Sequence, residues 1–353
     1  MATETVTRFL VPGEYSAWSE LVDNSPDGSV YSLPEYLEVL CSVAGGSFRI
    51  LAAERDGKLV GGIALYERES RFGSHVSTRR LLYYNGIVLE PHDSKYPSHR
   101  TSWQLHTLTA LEQAMARLPH ARVRFKSRST LIDQRVFLSP RWSLQPTYTY
   151  VVDISDLEAA WVLVDKNQRR LIRRCREQGV AVTMNEDIDS FYRLHVRTHK
   201  RTGGPVYLPR DAFCSFIEQL QRRSLCRLYH ARLPDGRAIA SQLVLAGKHP
   251  VAHTVCCGSD EEFLSLGASP FLRWNVLQDL AGSGYLANDL TDAELNSATY
   301  FKSQLGGELN LCLEVTRSDH LSWRLGEFAQ TASMRVKRGL LRLVRPSSHG
   351  SRS

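Results

Sequence analysis

Hydrophobic and polar positions follow two periods along this chain, one typical of helices and one typical of strands. In the first half they predict helices at 13–24, 34–43 and 98–118, and strands at 48–55, 58–67, 81–89, 122–126 and 147–153. Pro34 fits the first turn of a helix. Asp56-Gly57, between two alternating segments, indicates a tight hairpin turn. The first half is therefore predicted to be a mixed α/β unit.

The second half repeats this order of elements. The predicted helices lie at 156–163, 166–178, 187–201, 209–223, 270–282 and 296–304, and the predicted strands at 180–184, 226–232, 237–246, 251–258, 285–290 and 309–316. A second hairpin turn at Asp235-Gly236 matches Asp56-Gly57 at an offset of 179 residues. The simplest explanation is two copies of one unit. The order helix, hairpin, strand, helix, strand resembles that of an acetyltransferase-type (GNAT) domain.

Length and composition agree with two folded domains. At 353 residues, with 42% hydrophobic and 23% charged residues, the chain is too long for one ordinary core and too apolar for wholesale disorder. We assign an N-terminal GNAT-like domain to 1–150, a C-terminal GNAT-like domain to 151–322 and a basic amphipathic helical tail to 323–353. The expected fold class is α/β, with mixed α+β sheets in tandem.

Several classes of protein are excluded by what the sequence lacks. No apolar stretch reaches the about 18 residues that a transmembrane helix requires. The first residues lack the basic flank and apolar run of a secretory signal, and the seven cysteines include no C-x-x-C pair. His195 and His199 have a spacing that can bind a metal, but no carboxylate motif accompanies them. We therefore expect a cytoplasmic protein with reduced thiols and no metal site.

Positive charge is concentrated at two places. The chain has a net charge of +7, and most of it lies in 323–353. An apolar side of the tail lies beside Arg335, Arg338 and Arg342. Three alternatives remain open for the tail: a helix docked on the body, a clamp on RNA phosphates, or peripheral contact with a membrane surface.

The second basic feature is the predicted helix at 166–176, which holds six cations in eleven residues. Its apolar positions form one stripe, which leaves a face that includes Lys166, Arg169, Arg173 and Arg176. This face is either an ordinary solvated surface or a binding surface for consecutive phosphates. The cations of the strand at 122–128 also share one face, which we expect to be exposed to solvent.

Three motifs in the second half resemble FemAB/FemX-like transferases. They are Asn167-x-Arg169-x-x-Ile172-Arg173 followed by Gly179-Val180, then Thr198-x-x-Arg201-x-Gly203, and Tyr300-Phe301-Lys302-x-x-x-Gly306-Gly307. The resemblance covers about 20–320, with the sharper motifs within 166–308. It implies two GNAT-like domains and transfer of an aminoacyl group from aminoacyl-tRNA to an amine. The BioF2-like relatives imply instead an N-acyltransferase that uses acyl-CoA.

The resemblance also implies roles for particular residues. Phe301 and Lys302 match the Phe-Lys pair near the acyl transfer site, where a fixed ammonium would stabilise an oxyanion. Lys302 could instead hold a terminal ribose or phosphate, or be a surface lysine beside a packed ring. Arg201 would anchor a phosphate or carboxylate of the acceptor, and Asp289 would orient the amine unless it caps a turn. No general base stands out.

One departure from this family, and one loop compared with acetyltransferases, narrow the expected substrates. Cell-wall members bind a nucleotide diphosphate with an aromatic residue followed three positions later by Lys, whereas this chain has Tyr36 and Val39. Tyr36 remains a candidate substrate-binding residue. The glycine-rich loop that holds the CoA pyrophosphate in acetyltransferases is also degraded, with no glycine in 90–95 and only Gly267 in 264–270.

We therefore expect an acyltransferase that uses aminoacyl-tRNA as co-substrate, no other cofactor, and a small amine or hydroxyl acceptor, as in specialised metabolism. The basic helix and tail would bind the tRNA. The alternatives are a BioF2-like acyl-CoA N-acyltransferase, an aminoacyltransferase acting on a cell-wall precursor, and a catalytically inactive double-GNAT binding module.

Overall fold

A computed structural model of the chain describes residues 4–295 and 297–319. Its first half contains β1 (Val6–Phe9), α1 (Tyr15–Asn24), α2 (Pro34–Ala44), β2 (Ser47–Arg55), β3 (Lys58–Arg68), β4 (His75–Val76), β5 (Ile87–Leu89), α3 (Pro97–Ala116), β6 (Arg122–Lys126) and β7 (Ser143–Asp153). The second half begins with α4 (Leu157–Leu163), α5 (Lys166–Glu177), β8 (Ala181–Met184), α6 (Ile188–Thr202) and α7 (Arg210–Arg222). It continues with β9 (Cys226–Arg232), β10 (Ala238–Leu245), β11 (Val251–Ser259), α8 (Ala268–Gly282), β12 (Ala287–Asp289), α9 (Ser297–Ser303) and β13 (Glu308–Ser318).

All the described strands belong to one mixed sheet. Twelve of them follow the order β1-β2-β3-β4-β6-β13-β7-β12-β11-β10-β9-β8, and β5 pairs with β3 beside this path. The predicted mixed α/β fold class is confirmed. Both Asp-Gly hairpins are also confirmed, since β2 pairs with β3 and β9 with β10, each antiparallel. Asp56 and Gly57 adopt the left-handed conformation that a tight hairpin turn requires.

The last strand joins the two halves of the chain. β13 lies between β6 and β7 and is antiparallel to both, with Val315 opposite Phe125 and Leu144. The helices of the two halves also pack together, because the Tyr36 ring of α2 lies 6.0 Å from the Phe216 ring of α7. A sheet and a core cluster therefore run across residue 150, and the domain limits at 150 and 322 stay predictions.

The prediction of one strand over 81–89 is wrong for its first six residues. Leu81 has a φ of 68°, a left-handed conformation that interrupts extended backbone. Its carbonyl accepts a hydrogen bond from the Tyr36 hydroxyl. Only β5 reaches the sheet, where Leu89 lies opposite Gly61.

Sequence reasoning also missed two short strands and misjudged one face. β1 and β4 have too few residues to produce a visible alternation. Lys126 and Arg128 are only 4% and 7% exposed, so the expected solvent-facing surface at 122–128 is wrong for its last two cations. The predicted tail at 323–353 lies outside the described residues.

Candidate active site

Lys302 lies in α9, a short helix that follows a turn after β12. Its side chain is half-buried, and the Nζ donates hydrogen bonds to the carbonyls of Thr291 and Asp292, the latter at 2.7 Å. Thr291 and Asp292 have φ values of 48° and 51°. Two consecutive non-glycine residues in this region indicate a turn held under strain by its surroundings, as occurs at functional sites. We call residues 289–292 the Thr291 turn.

The neutral amine form of the Lys302 side chain is more favoured in this environment than it would be in water. Burial, and then the nearby Arg273 guanidinium, lower the pKa of Lys302 from 10.5 to about 8. Arg273 lies with its Cζ 5.3 Å from the centre of the Phe301 ring, and its Nη2 is 3.0 Å from the Cys257 Sγ. Since an ammonium has three N–H groups and two are occupied by the turn, one remains for a substrate oxygen.

Asp289 anchors the Thr291 turn from beneath. It is 2% exposed, and its carboxylate accepts hydrogen bonds from the Tyr84 hydroxyl at 2.8 Å, the Thr149 hydroxyl at 2.5 Å and the Thr291 N–H at 2.8 Å. Three donors to one buried carboxylate form a strong anchor. The structure thus gives Asp289 a positioning role, and direct contact with an incoming amine stays a prediction.

A contact from the first half completes this arrangement, and sequence reasoning missed it. Lys126 of β6 donates to the Asp292 carboxylate at 2.9 Å, and its Nζ lies 5.3 Å from the centre of the Tyr84 ring. Lys126 is buried, whereas the Asp292 side chain is 49% exposed. The turn that receives Lys302 is therefore held by side chains from both halves. Its unusual pair of left-handed residues leaves no trace in a hydrophobicity pattern.

The basic helix predicted at 166–178 is confirmed as α5. The Asp165 carboxylate accepts from the Asn167 N–H at 2.8 Å, and Ile172 and Cys175 are buried as expected. Lys166, Arg173 and Arg176 are exposed and Arg169 is half-buried. No carboxylate of the described residues forms an ion pair with these four cations, so their charge is available to a ligand.

The start of α5 is hydrogen-bonded to the segment that carries Lys302. The Asp165 N–H donates to the Gln304 carbonyl at 2.9 Å, and the amide groups of Gln168 and Gln304 are 2.9 Å apart. Val164 and Leu305 form an isolated β-bridge. The structure thus ties the beginning of α5 to the segment that carries Phe301 and Lys302.

α5 also covers the beginning of α8. Gly267, which precedes this helix, has a φ of 87°. A Cβ at Gly267 would lie 2.7 Å from the Leu171 Cβ and 2.9 Å from the Leu171 carbonyl oxygen. Only glycine allows this approach without a shift of backbone. The residue that precedes α8 in the loop compared above with the CoA pyrophosphate loop is therefore packed against α5.

The other predicted site residues lie apart from this cluster. Arg201 is exposed at the end of α6, with its Nη1 3.4 Å from the Ser259 carbonyl. Tyr36 is 0% exposed and donates its hydroxyl proton to Leu81, so it offers no surface to a substrate and has a core role. Among described residues, no group of three His, Cys, Asp or Glu could hold a metal. Three further predicted site residues lie outside the described part of the chain: Arg335, Arg338 and Arg342.

The second half of the chain matches a known family. Residues 164–303 match the family described as acetyltransferase (GNAT) domain. The matched range includes Asp289 and Lys302, and the match confirms the predicted class of enzyme, an acyltransferase. No curated protein matches the sequence. No helix among the described residues is long and apolar enough to cross a membrane.

Solved structures share the fold of nearly the whole chain. The crystal structure of FemX has a TM-score of 0.66 at 14% identity and covers 91% of this chain and 99% of FemX. A conserved protein of unknown function from Bacteroides thetaiotaomicron has a TM-score of 0.56 at 11% identity and covers 88% and 99% of the two chains. The C-terminal domain of a candidate lysylphosphatidylglycerol synthetase from Agrobacterium fabrum has a TM-score of 0.54 at 12% identity, with 90% and 96% covered. The chain thus has a FemX-like GNAT fold, as predicted.

Proposed function

We propose that this protein transfers an aminoacyl group from aminoacyl-tRNA to a small amine or hydroxyl acceptor. The observation that carries the proposal is the direct attachment of a cationic helix to the Lys302 segment. Gln304, two residues after Lys302, binds the start of α5 through both its main chain and its side chain. An RNA acceptor arm held by phosphates along α5 would bring its terminal ester towards Lys302.

The proposed step is an acyl transfer in which Lys302 stabilises negative charge. The acceptor nitrogen, or hydroxyl oxygen, attacks the ester carbonyl carbon, and a new C–N or C–O bond forms. The ester bond to the ribose then breaks, and the proton lost by the acceptor reaches the ribose oxygen through the substrate or water. The third N–H of Lys302 would donate to the oxyanion, with the Phe301–Arg273 pair fixing the position of the ammonium.

The remaining predicted residues contribute binding in this proposal. Arg201 would hold a phosphate or carboxylate of the acceptor, because its exposed guanidinium makes one long contact, with the Ser259 carbonyl, within the described part of the chain. The tail cations, Arg335, Arg338 and Arg342, would extend the phosphate contacts of α5. Contact of the tail with a membrane surface is the alternative. Use of charged tRNA implies a cytoplasmic location.

Acyl-CoA is the second candidate donor, and the match of residues 164–303 to the acetyltransferase (GNAT) family favours it. The packing of Gly267 against Leu171 weighs against it, since α5 lies directly on the one glycine that this loop keeps. The two donors therefore require different things of α5. It would be the binding surface for tRNA, whereas it would have to move partly away from the loop to admit acyl-CoA.

Retention of labelled aminoacyl-tRNA on the purified full-length protein tests the donor without knowledge of the acceptor. Bulk tRNA charged with radioactive amino acids is bound at two salt concentrations, with acetyl-CoA as competitor. We expect salt-sensitive retention of a charged species that is indifferent to acetyl-CoA. Absence of retention, or displacement by acetyl-CoA, would replace this proposal by the acyl-CoA alternative.

A pair of lysine variants then separates binding from catalysis. Transfer of label to a mixture of small primary amines is compared in Lys302→Ala and Lys58→Ala, the latter an exposed hairpin lysine. We expect Lys302→Ala to reduce transfer by roughly 100-fold, the typical effect of losing one oxyanion donor, while retention of tRNA is kept. Lys58→Ala should behave as wild type. Unchanged transfer by Lys302→Ala would remove Lys302 from the mechanism.

A further inference from the structure

A separate cavity of about 230 Å³ lies in the first half of the chain. It is bounded by the end of β5, the beginning of α3 and the loops that follow α1 and β6. Its lining includes two acidic residues, Asp27 and Glu90, and the apolar residues Leu89 and Trp103. None of the residues of the Lys302 cluster lines it, so the proposed transfer reaction leaves it without a role.

The loop that carries Asp27 is fixed by buried hydrogen bonds. The Ser25 hydroxyl donates to the Leu89 carbonyl at 2.6 Å and accepts from the Asp27 N–H at 3.1 Å. Arg128, which is 7% exposed, donates to the carbonyls of Pro26 at 2.8 Å and Gly28 at 2.7 Å. The buried Arg128 guanidinium thus binds the backbone on both sides of Asp27.

Gly28, at the end of this loop, is tightly packed against α1. A Cβ at Gly28 would lie 1.8 Å from the Val22 carbonyl oxygen, so only glycine fits. The position of Asp27 is therefore set before any ligand arrives, which is a feature of binding sites that need little ordering on association.

Asp27 is buried, with only 9% of its surface exposed. No Lys, Arg or His of the described residues forms an ion pair with it. Burial raises the pKa of this carboxyl, an effect that the Thr130 hydroxyl, the nearby Arg128 and the Leu89 N–H oppose only in part. Because burial of a carboxylate that forms no ion pair costs free energy, its place at a cavity wall points to a positively charged ligand.

The rest of the wall defines the kind of cation. Glu90 adds a second negative charge, and the single guanidinium of the wall, Arg100, is tied to the Ser94 carbonyl at 2.6 Å. Trp103 has Arg55 over its ring at 4.0 Å, which holds the indole in place. No group of three metal-ligating side chains exists here or elsewhere among the described residues. An organic cation with an apolar part fits this wall better than a metal ion.

We propose that this cavity binds the ammonium group of a small organic amine, with Asp27 as its counter-ion and Leu89 and Trp103 against its apolar part. The site is independent of the donor used at Lys302, so each proposal can fail alone. Amines of this kind also match the acceptor class proposed above, but binding at Asp27 requires no chemistry.

Matched pairs of ligands test the charge requirement. Butylammonium and benzylammonium are compared with 1-butanol and benzyl alcohol by ligand-observed NMR on the full-length protein at pH 7.5. We expect at least one ammonium to bind at least tenfold more tightly than its alcohol. Equal affinity within both pairs, binding of none of the four, or binding of Zn²⁺ or Mg²⁺ in place of the ammoniums would overturn the proposal.

A pair of variants assigns the site. Asp27→Asn keeps the shape of the side chain and removes its charge, and Asp93→Asn makes the same change at an exposed residue of the neighbouring loop. We expect Asp27→Asn to lose the tenfold preference and Asp93→Asn to keep it. If both variants keep it, the assignment is wrong. If Asp27→Asn does not fold, acid titration of the wild type replaces it, because binding must weaken as Asp27 is protonated, and pH-independent binding would refute the counter-ion role.

Discussion

The protonation of Lys302 is the property on which the proposed mechanism depends most directly. Burial and the proximity of Arg273 lower its pKa from 10.5 to about 8. A change of this size corresponds to at most ~3 kcal/mol in favour of the neutral form, since one pH unit is worth about 1.4 kcal/mol and the side chain keeps some contact with solvent. At pH 7 roughly nine tenths of the molecules would still carry the ammonium.

This pKa predicts how activity depends on pH. If the ammonium stabilises the oxyanion, turnover must fall as the pH rises through about 8, because the positive charge is lost there. Lys302→Arg keeps its charge at every accessible pH. This variant should be slower, because a planar guanidinium cannot reproduce both hydrogen bonds to the Thr291 turn, but it should lack the decline near pH 8.

Lysine-selective NMR measures the pKa itself. The chain has eight lysines, so a spectrum of protein labelled with ¹³C at lysine Cε is simple enough to assign. The resonance that disappears in Lys302→Met should titrate near pH 8. A midpoint above pH 10 would contradict the desolvated site, and a midpoint near 8 with turnover unchanged up to pH 9.5 would show that the ammonium is not used in catalysis.

Three further predictions concern α5 and the Thr291 turn. Arg173→Gln should weaken aminoacyl-tRNA retention in filter binding and lower its salt dependence by about one charge. The same change at exposed Arg222 of α7 should alter neither. Gly267→Ala should lower the free energy of unfolding in urea by at least ~2 kcal/mol, which is more than Gly236→Ala should. Both glycines are left-handed, but only a Cβ at Gly267 would clash with the backbone of α5. Equal losses in the two variants would contradict this packing. Asp289→Asn should cost about 1–3 kcal/mol in thermal unfolding, since one amide oxygen cannot replace a carboxylate that accepts from three donors, and an unchanged transition would refute its anchoring role.

Local sequence signals predicted most of the helices and strands because the physics that specifies them is local. The two Asp-Gly turns determined the hairpins, since left-handed residues are needed at those points and glycine supplies them. The stripe of Ile172 and Cys175 predicted which side of α5 is buried, and the structure agrees. The alternation over 81–86 failed because one residue, Leu81, adopts a left-handed conformation that no side-chain pattern indicates.

The site could be predicted only in part, because its geometry depends on contacts between distant segments. The motif with Phe301 and Lys302 was visible, but the partners of Lys302 are carbonyl groups, which every residue possesses. Lys126 was expected in solvent, although its ammonium pairs with Asp292 across the junction of the two halves. Such pairings arise when β13 inserts beside β6, and strand order in a sheet is a property of the whole chain.

The position of α5 connects the two questions that the sequence left open, the donor and the purpose of the arginine cluster. Leu171 of α5 packs on Gly267 at the beginning of α8, and the charged side of α5 faces outwards. A further contact, Gln168 with Gln304, ties the same helix to Lys302. The Leu171 contact is the apolar packing that any such helix would have, whereas the contact of Gln168 with Gln304 is a specific connection to the Lys302 segment. A phosphate-binding helix requires such a connection if it is to deliver an ester to one fixed ammonium, and this is why we favour aminoacyl-tRNA over acyl-CoA as the donor.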